Sequence, residues 1–97
     1  IAAIPEREDA RDALVSRDRI RLAELGPGAR VGTGSLRRVC QIRERRPELA
    51  VVPLRGNVDT RLRKMRAGEV DAVVLALAGL RRLGLEGEVA ETLAVTE

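Results

Sequence analysis

Three short runs, Ala29–Gly32, Leu49–Leu54 and Val70–Leu77, divide the chain, and each is followed by a break and then by residues at helical spacing. After the first run come Gly34 and Ser35, then Leu36, Val39, Cys40 and Ile42 at intervals that predict a helix over Leu36–Arg46, stopped by Pro47. Leu49–Leu54 reads as a buried strand. After it, Asn57 is placed to cap a helix over Val58–Arg66, with Val58, Leu62 and Met65 on one face and Gly68 closing it. After Val70–Leu77, Ala78–Leu83 turns helical between Gly79 and Gly84. Strands that alternate with helices predict an α/β domain with a mainly parallel sheet flanked by helices. The flanking stretches read less sharply. Ile1–Ile4 is expected to be a strand ended by Pro5, and Glu6–Val15 a loop with a helical turn. Arg19–Leu25 is expected to be a short helix or turn broken at Gly26-Pro27-Gly28, and Glu86–Leu93 a final helix. The 97 residues suffice for one domain, 1–97.

What the chain lacks excludes several functions. There is no aromatic residue, so the core is aliphatic and no platform exists for stacking bases. There is no His and a single Cys, Cys40, so no zinc site, disulfide or His-based triad can be assembled within the chain. Cys40, near the apolar face of its helix, is expected to be a buried structural cysteine. No apolar run reaches the ~18 residues that suggest a membrane span, and the expectation is a cytoplasmic protein. Charge is concentrated: Arg30 to Arg66 holds eleven basic and three acidic residues, a net +8, so the remainder carries 3 − 8 = −5. A basic centre between acidic flanks fits a localised anionic ligand better than a nucleic acid.

That ligand has an evident place. Val31–Arg38, Val-Gly-Thr-Gly-Ser-Leu-Arg-Arg, reads as a strand end, a glycine-bearing loop and a helix start capped by Ser35. Arg37 and Arg38 in a first helical turn oppose the helix dipole unless an anion sits nearby. Arg55 and Arg61 flank the second strand-to-helix boundary, and Arg81 and Arg82 follow the third. In an open parallel sheet such loops gather at the carboxyl ends of the strands. Guanidinium forks hold carboxylates and phosphates by paired hydrogen bonds. The plainer reading, solvated surface arginines, holds for any one of them; the shared crevice favours a site. Gly32-x-Gly34 begins a dinucleotide fingerprint, but Arg37 stands at the third glycine position and no Gly-Lys-Ser/Thr follows, so nucleotide binding is not expected. Met65 reads as core, Asp59 as dipole compensation, and Asp71 as a strand-start or edge residue.

Four motifs carry a resemblance. Residues 31–38, Glu-Arg-Arg-Pro (44–47), Leu-Arg-Gly-Asn-Val-Asp-Thr-Arg-Leu (54–62) and Leu-Ala-Gly-Leu-Arg-Arg-Leu-Gly (77–84) resemble the porphobilinogen deaminase, or hydroxymethylbilane synthase, family. Glu-Arg-Glu-Asp-Ala-Arg-Asp-Ala (6–13) also looks like that family, and the resemblance runs in order along essentially the whole chain. It implies the second domain of a longer three-domain enzyme, similar in fold to one domain of a type II periplasmic binding protein. The family is a transferase of porphyrin and heme biosynthesis that joins four porphobilinogen molecules on a covalently held dipyrromethane cofactor and releases ammonia. The catalytic Asp and a neighbouring Lys are expected in domain 1 and the cofactor-bearing Cys in domain 3; Cys40 does not match it. The implied partners are porphobilinogen, the growing polypyrrole and domains 1 and 3, with no nucleic acid and no membrane.

Residue by residue, the resemblance implies that Ser35, Arg37 and Arg38 bind acetate and propionate groups of cofactor and substrate. Arg55 and Arg61 match further arginines of the cleft, and Arg82 one from the third boundary. Thr33, Gly56, Asn57 and Gly79 are expected as backbone or polar contacts. Gly34 stands where many relatives have Ser, and Asp59 where Gly is frequent. The fragment alone is expected to be inactive, and Arg38→Ala or Arg55→Ala to impair elongation with little effect on folding. The alternative from another class is a non-enzymatic anion-binding module of the binding-protein type.

Overall fold

Residues 11–93 are described by the structure, a computed structural model. Five strands, β1 (Asp12–Ser16), β2 (Arg30–Thr33), β3 (Ala50–Pro53), β4 (Ala72–Ala76) and β5 (Glu91–Leu93), form one sheet in the order β3-β2-β4-β1-β5. Helix α1 (Leu36–Arg45) connects β2 to β3, α2 (Val58–Arg66) connects β3 to β4, and α3 (Leu77–Arg82) follows β4. Single 3-10 turns lie at Arg17–Arg19, Leu22–Glu24 and Glu86–Glu88. The expected strand at Ile1–Ile4 lies outside the described residues.

The α/β class holds, but the sheet is mixed. β2 runs parallel to β3 and β4, whereas β1 is antiparallel to β4 and β5. Two expected elements are therefore corrected. Asp12–Ser16, expected to be loop, is a strand buried at all five positions. Its polar ends hid it: Asp12 is only 2% exposed and Ser16 bonds its hydroxyl to Ile20 O. Glu86–Leu93, expected to be a helix, is a turn followed by β5, with Ala13 opposite Thr92. Leu49–Leu54, expected to be a buried strand, supplies an edge strand with Val51 and Val52 only half-buried.

Both faces of the sheet are covered. On one face Ala13, Val15, Val73 and Leu75 pack with Leu62, Met65, Leu77 and Leu80 of α2 and α3. On the other, Leu14, Val31, Ala72 and Val74 pack with Ile42 of α1 and with Leu22 and Leu25. Successive β4 residues serve opposite layers, which is why that strand reads as a continuous apolar run rather than an alternating one. The apolar side of α1 is narrow: Ile42 is buried, while Leu36 is 79% exposed and Cys40 is exposed rather than buried as expected. The end of α1 is tied down by Arg46, whose Nη1 and Nη2 donate to Leu22 O and Leu25 O, both at 2.7 Å.

The amino end of the sheet is closed by acid. Asp71, just before β4, accepts the Arg30 N–H at 2.7 Å and pairs with Arg17 at 3.2 Å. The Arg30 backbone N–H, with the Arg30 and Arg17 charges behind it, holds the Asp71 carboxyl below the usual carboxylate range. On the β3 edge, Ala50 N–H and Leu54 N–H point inward, to Ala29 O and Thr33 O.

At the opposite end, β2, β3 and β4 deliver their carboxyl termini together. α1 leaves β2 over one face of the sheet, while α3 leaves β4 over the other. The crevice between β2 and β4 is thus the topological switch point of the sheet. Asp12 lies opposite Ala76 and Leu93, so β1 starts and β5 ends at this same edge.

Candidate functional site

Between Thr33 and Leu36 the chain turns through Gly34 and Ser35, and its own hydroxyls hold the turn. Thr33 is 1% exposed, and its Oγ1 accepts the Ser35 N–H at 3.2 Å. Ser35 caps α1 by accepting the Arg38 N–H at 3.4 Å. Gly34 is where another element comes close: a Cβ there would lie 3.0 Å from Arg61 Nη2 and 3.1 Å from Leu54 O. The Arg61 guanidinium thus crosses from α2 to the β2–α1 loop, and the missing side chain at 34 leaves it room. Thr33, Ser35, Leu36, Val39, Arg43 and Arg55 line the adjoining cleft of about 360 Å³.

Among the described residues, three arginines are not fully exposed: Arg38, Arg46 and Arg61. Arg46 is satisfied by Glu48 and two carbonyls. Arg38 Nη2 meets Asp12 Oδ1 at 2.7 Å, with side-chain exposures of 15% and 3%. The Arg61 side chain makes no ion pair or hydrogen bond within the described residues, and its Nε is shut off from solvent. Burying a guanidinium without an acceptor is costly, so its surroundings suit an incoming anion. Arg37 and Arg55 are exposed and have no acidic partner among the described residues. Away from this edge the arrangement differs: Arg17 and Arg30 share Asp71, Arg66 meets Glu88, and Arg81 meets Glu86.

Other expected site residues play local parts. Gly56 has φ +115, and a Cβ there would lie 2.8 Å from Thr60 Cγ2. Asn57 caps α2 by accepting the Thr60 N–H at 2.8 Å. Both build the helix start that aims Arg61. Thr33, Ser35, Arg55 and Arg61 are brought together; Arg37, Gly79 and Arg82 do not line the cleft, and Arg38 lines a separate pocket with Asp12, Gln41 and Leu93. β4 passes directly into α3, so there is no third loop: Gly79 lies inside the helix and Arg82, exposed and engaged in a polar interaction, in its last turn. By helical rise Arg82 stands roughly 9 Å beyond the strand end. The Arg38–Asp12 pair also corrects the expectation that Arg38→Ala would spare folding, since it would strand a buried carboxylate.

The sequence reading missed Asp12 and Arg43. Asp12 carries no local signal, because its partner is remote in sequence. Arg43 stands two turns beyond Leu36, a spacing that could have placed it on the cleft. Among the described residues, no group of three or more His, Cys, Asp or Glu could hold a metal ion.

Comparison with known proteins follows the same residues. The family model described as "Porphobilinogen deaminase, dipyromethane cofactor binding domain" matches residues 1–97. The porphobilinogen deaminase of Roseiflexus sp. (strain RS-1) is 63% identical over 91 residues, covering 94% of this chain and 30% of the relative. That of Sorangium cellulosum (strain So ce56) is 64% identical over 93 residues, covering 96% and 31%. That of Thermobifida fusca (strain YX) is 54% identical over 97 residues, covering 100% and 30%. The chain therefore spans about a third of the length of these relatives. A cofactor with carboxylate side chains fits the residues present, since the orphaned Arg61 Nε and the exposed Arg37 and Arg55 offer cations that no acid among the described residues neutralises. With its motifs, its unneutralised arginines and these similarities in agreement, the chain belongs to the porphobilinogen deaminase family.

Proposed function

We propose that this chain is the carboxylate-binding second domain of a porphobilinogen deaminase. The whole enzyme joins four porphobilinogen molecules into hydroxymethylbilane and releases ammonia, and this domain forms one wall of the cleft where that happens. One observation carries the reading: the Arg61 side chain is half-buried, without a partner among the described residues, over a residue with no side chain. Arg37 and Arg55 add exposed cations at the same edge. A ligand bearing several carboxylates satisfies all of them, as a chain of pyrroles with two carboxylates per ring does.

When bound, dipyrromethane supplies an electron-rich pyrrole to which new rings are joined. The residues of this chain hold and orient. Arg61, Arg55 and Arg37 fix carboxylates, Ser35 holds the start of α1, and Gly34 keeps the loop open to Arg61. Such positioning lowers the entropic part of the barrier. No general acid or base is assigned here; proton transfer belongs to domain 1 and covalent attachment of the cofactor to domain 3.

In the full-length protein that carries this chain, Arg61→Ala is expected to lower kcat/KM for porphobilinogen by about 10- to 100-fold with an unchanged melting temperature. Steady-state assays with thermal melts check this. An unchanged kcat/KM would remove Arg61 from the site. Calorimetric titration of the full-length protein that binds sulfate in preference to porphobilinogen would assign the anion-binding module instead.

A further inference from the structure

We infer that Asp12 is a positioning residue for this site, acting through Arg38. The inference rests on the proposed function. Asp12 is 2% exposed and opens β1 at the ligand edge, opposite the last residue of β4 and of β5. Its Oδ1 holds Arg38 Nη2 at 2.7 Å. Arg38 itself sits in the first turn of α1, one residue from Arg37 and capped through its N–H by Ser35. Only Nη2 is committed to Asp12 and Nε is shut off from solvent, so Nη1 is the donor of the partly exposed fork left for a ligand carboxylate. A long flexible side chain pinned at one nitrogen by a buried acid loses its rotamer freedom before the ligand arrives. Asp12 thereby fixes where a ligand carboxylate is held, without touching it.

The test is a double-mutant cycle in the full-length protein that carries this chain, using Asp12→Asn, Arg38→Lys and the pair. Asp12→Asn keeps the shape and loses the charge. It is expected to raise KM for porphobilinogen by about 10-fold or more with a smaller fall in kcat, and the double variant to be no worse than Arg38→Lys alone. A kcat/KM for Asp12→Asn within about twofold of the unaltered protein, or losses that multiply, would overturn the inference. Asp12→Glu, which keeps the charge but moves it by a methylene, covers the case where the amide variant does not fold; full activity in it overturns positioning equally. A second readout is independent of activity. In arginine-labelled protein the Arg38 guanidinium NMR signals should be resolved and slowly exchanging, and should be lost in Asp12→Asn. Signals that persist there overturn the inference. Signals lost as expected in a protein that makes no hydroxymethylbilane would instead refute the proposed function.

Discussion

Removing Arg38 leaves Asp12 with a charge and no ion-pair partner among the described residues. Breaking a buried pair from one side costs about 3–5 kcal/mol, because the remaining ion has lost its solvent and its counterion. Arg38→Ala is therefore expected to destabilise the full-length protein by about that amount, and Arg55→Ala, at an exposed position, by no more than about 0.5 kcal/mol. Urea unfolding of both variants checks the contrast; equal losses would mean that the 2.7 Å contact does not hold in solution. The two residues carry the same side chain beside similar loops, and nothing local separates them in sequence. What separates them is the strand that arrives beside Arg38 from far along the chain. Arg61 was legible as a member of a motif, but not as a half-buried cation lying over Gly34, because that depends on how α2 approaches the β2–α1 loop.

Helices α1 and α2 were legible because their signals are local. Ser35 and Asn57 cap them through their own side chains, and Pro47 and Gly68 close them. β1 and β5 were not, because a strand buried on both faces need not alternate, and short polar-ended strands exist only by pairing. Glu91 illustrates this: its carboxylate accepts the Leu22 N–H at 2.8 Å across the fold rather than serving a helix. Asp71 joins elements in the same way, binding the start of β2 and Arg17 to the start of β4. Its folded carboxyl titrates below its unfolded value of about 3.9. The stability it contributes is thus complete above that pH and is lost as pH falls through the lower folded value. The difference in urea midpoint between the unaltered full-length protein and Asp71→Asn should be constant near neutrality and shrink below about pH 4. A difference that stays constant into acid would show that another group carries the interaction.

For the whole molecule, strand-helix alternation gave the α/β class and the end at which ligands gather, but not the mixed sheet. Directions of pairing are set by long-range contacts, and β1 with β5 turned an expected parallel sheet into two parallel and two antiparallel ladders. The approach of Arg61 to the β2–α1 loop does not depend on β1 or β5, since it needs only β2 and β3 to be parallel, whereas Arg81 and Arg82 do not join it. The outer edge of β3 has a consequence for self-association. Ala50 and Leu54 turn their N–H groups inward, so Val51 and Pro53 occupy the outward positions. Proline has no N–H, which leaves Val51 as the one outward donor of the strand. A second sheet cannot build a continuous ladder onto an edge with alternate donors removed. Pro53→Val restores the missing donor on an apolar strand, and it is expected to make the full-length protein aggregate at concentrations where the unaltered protein scatters no light.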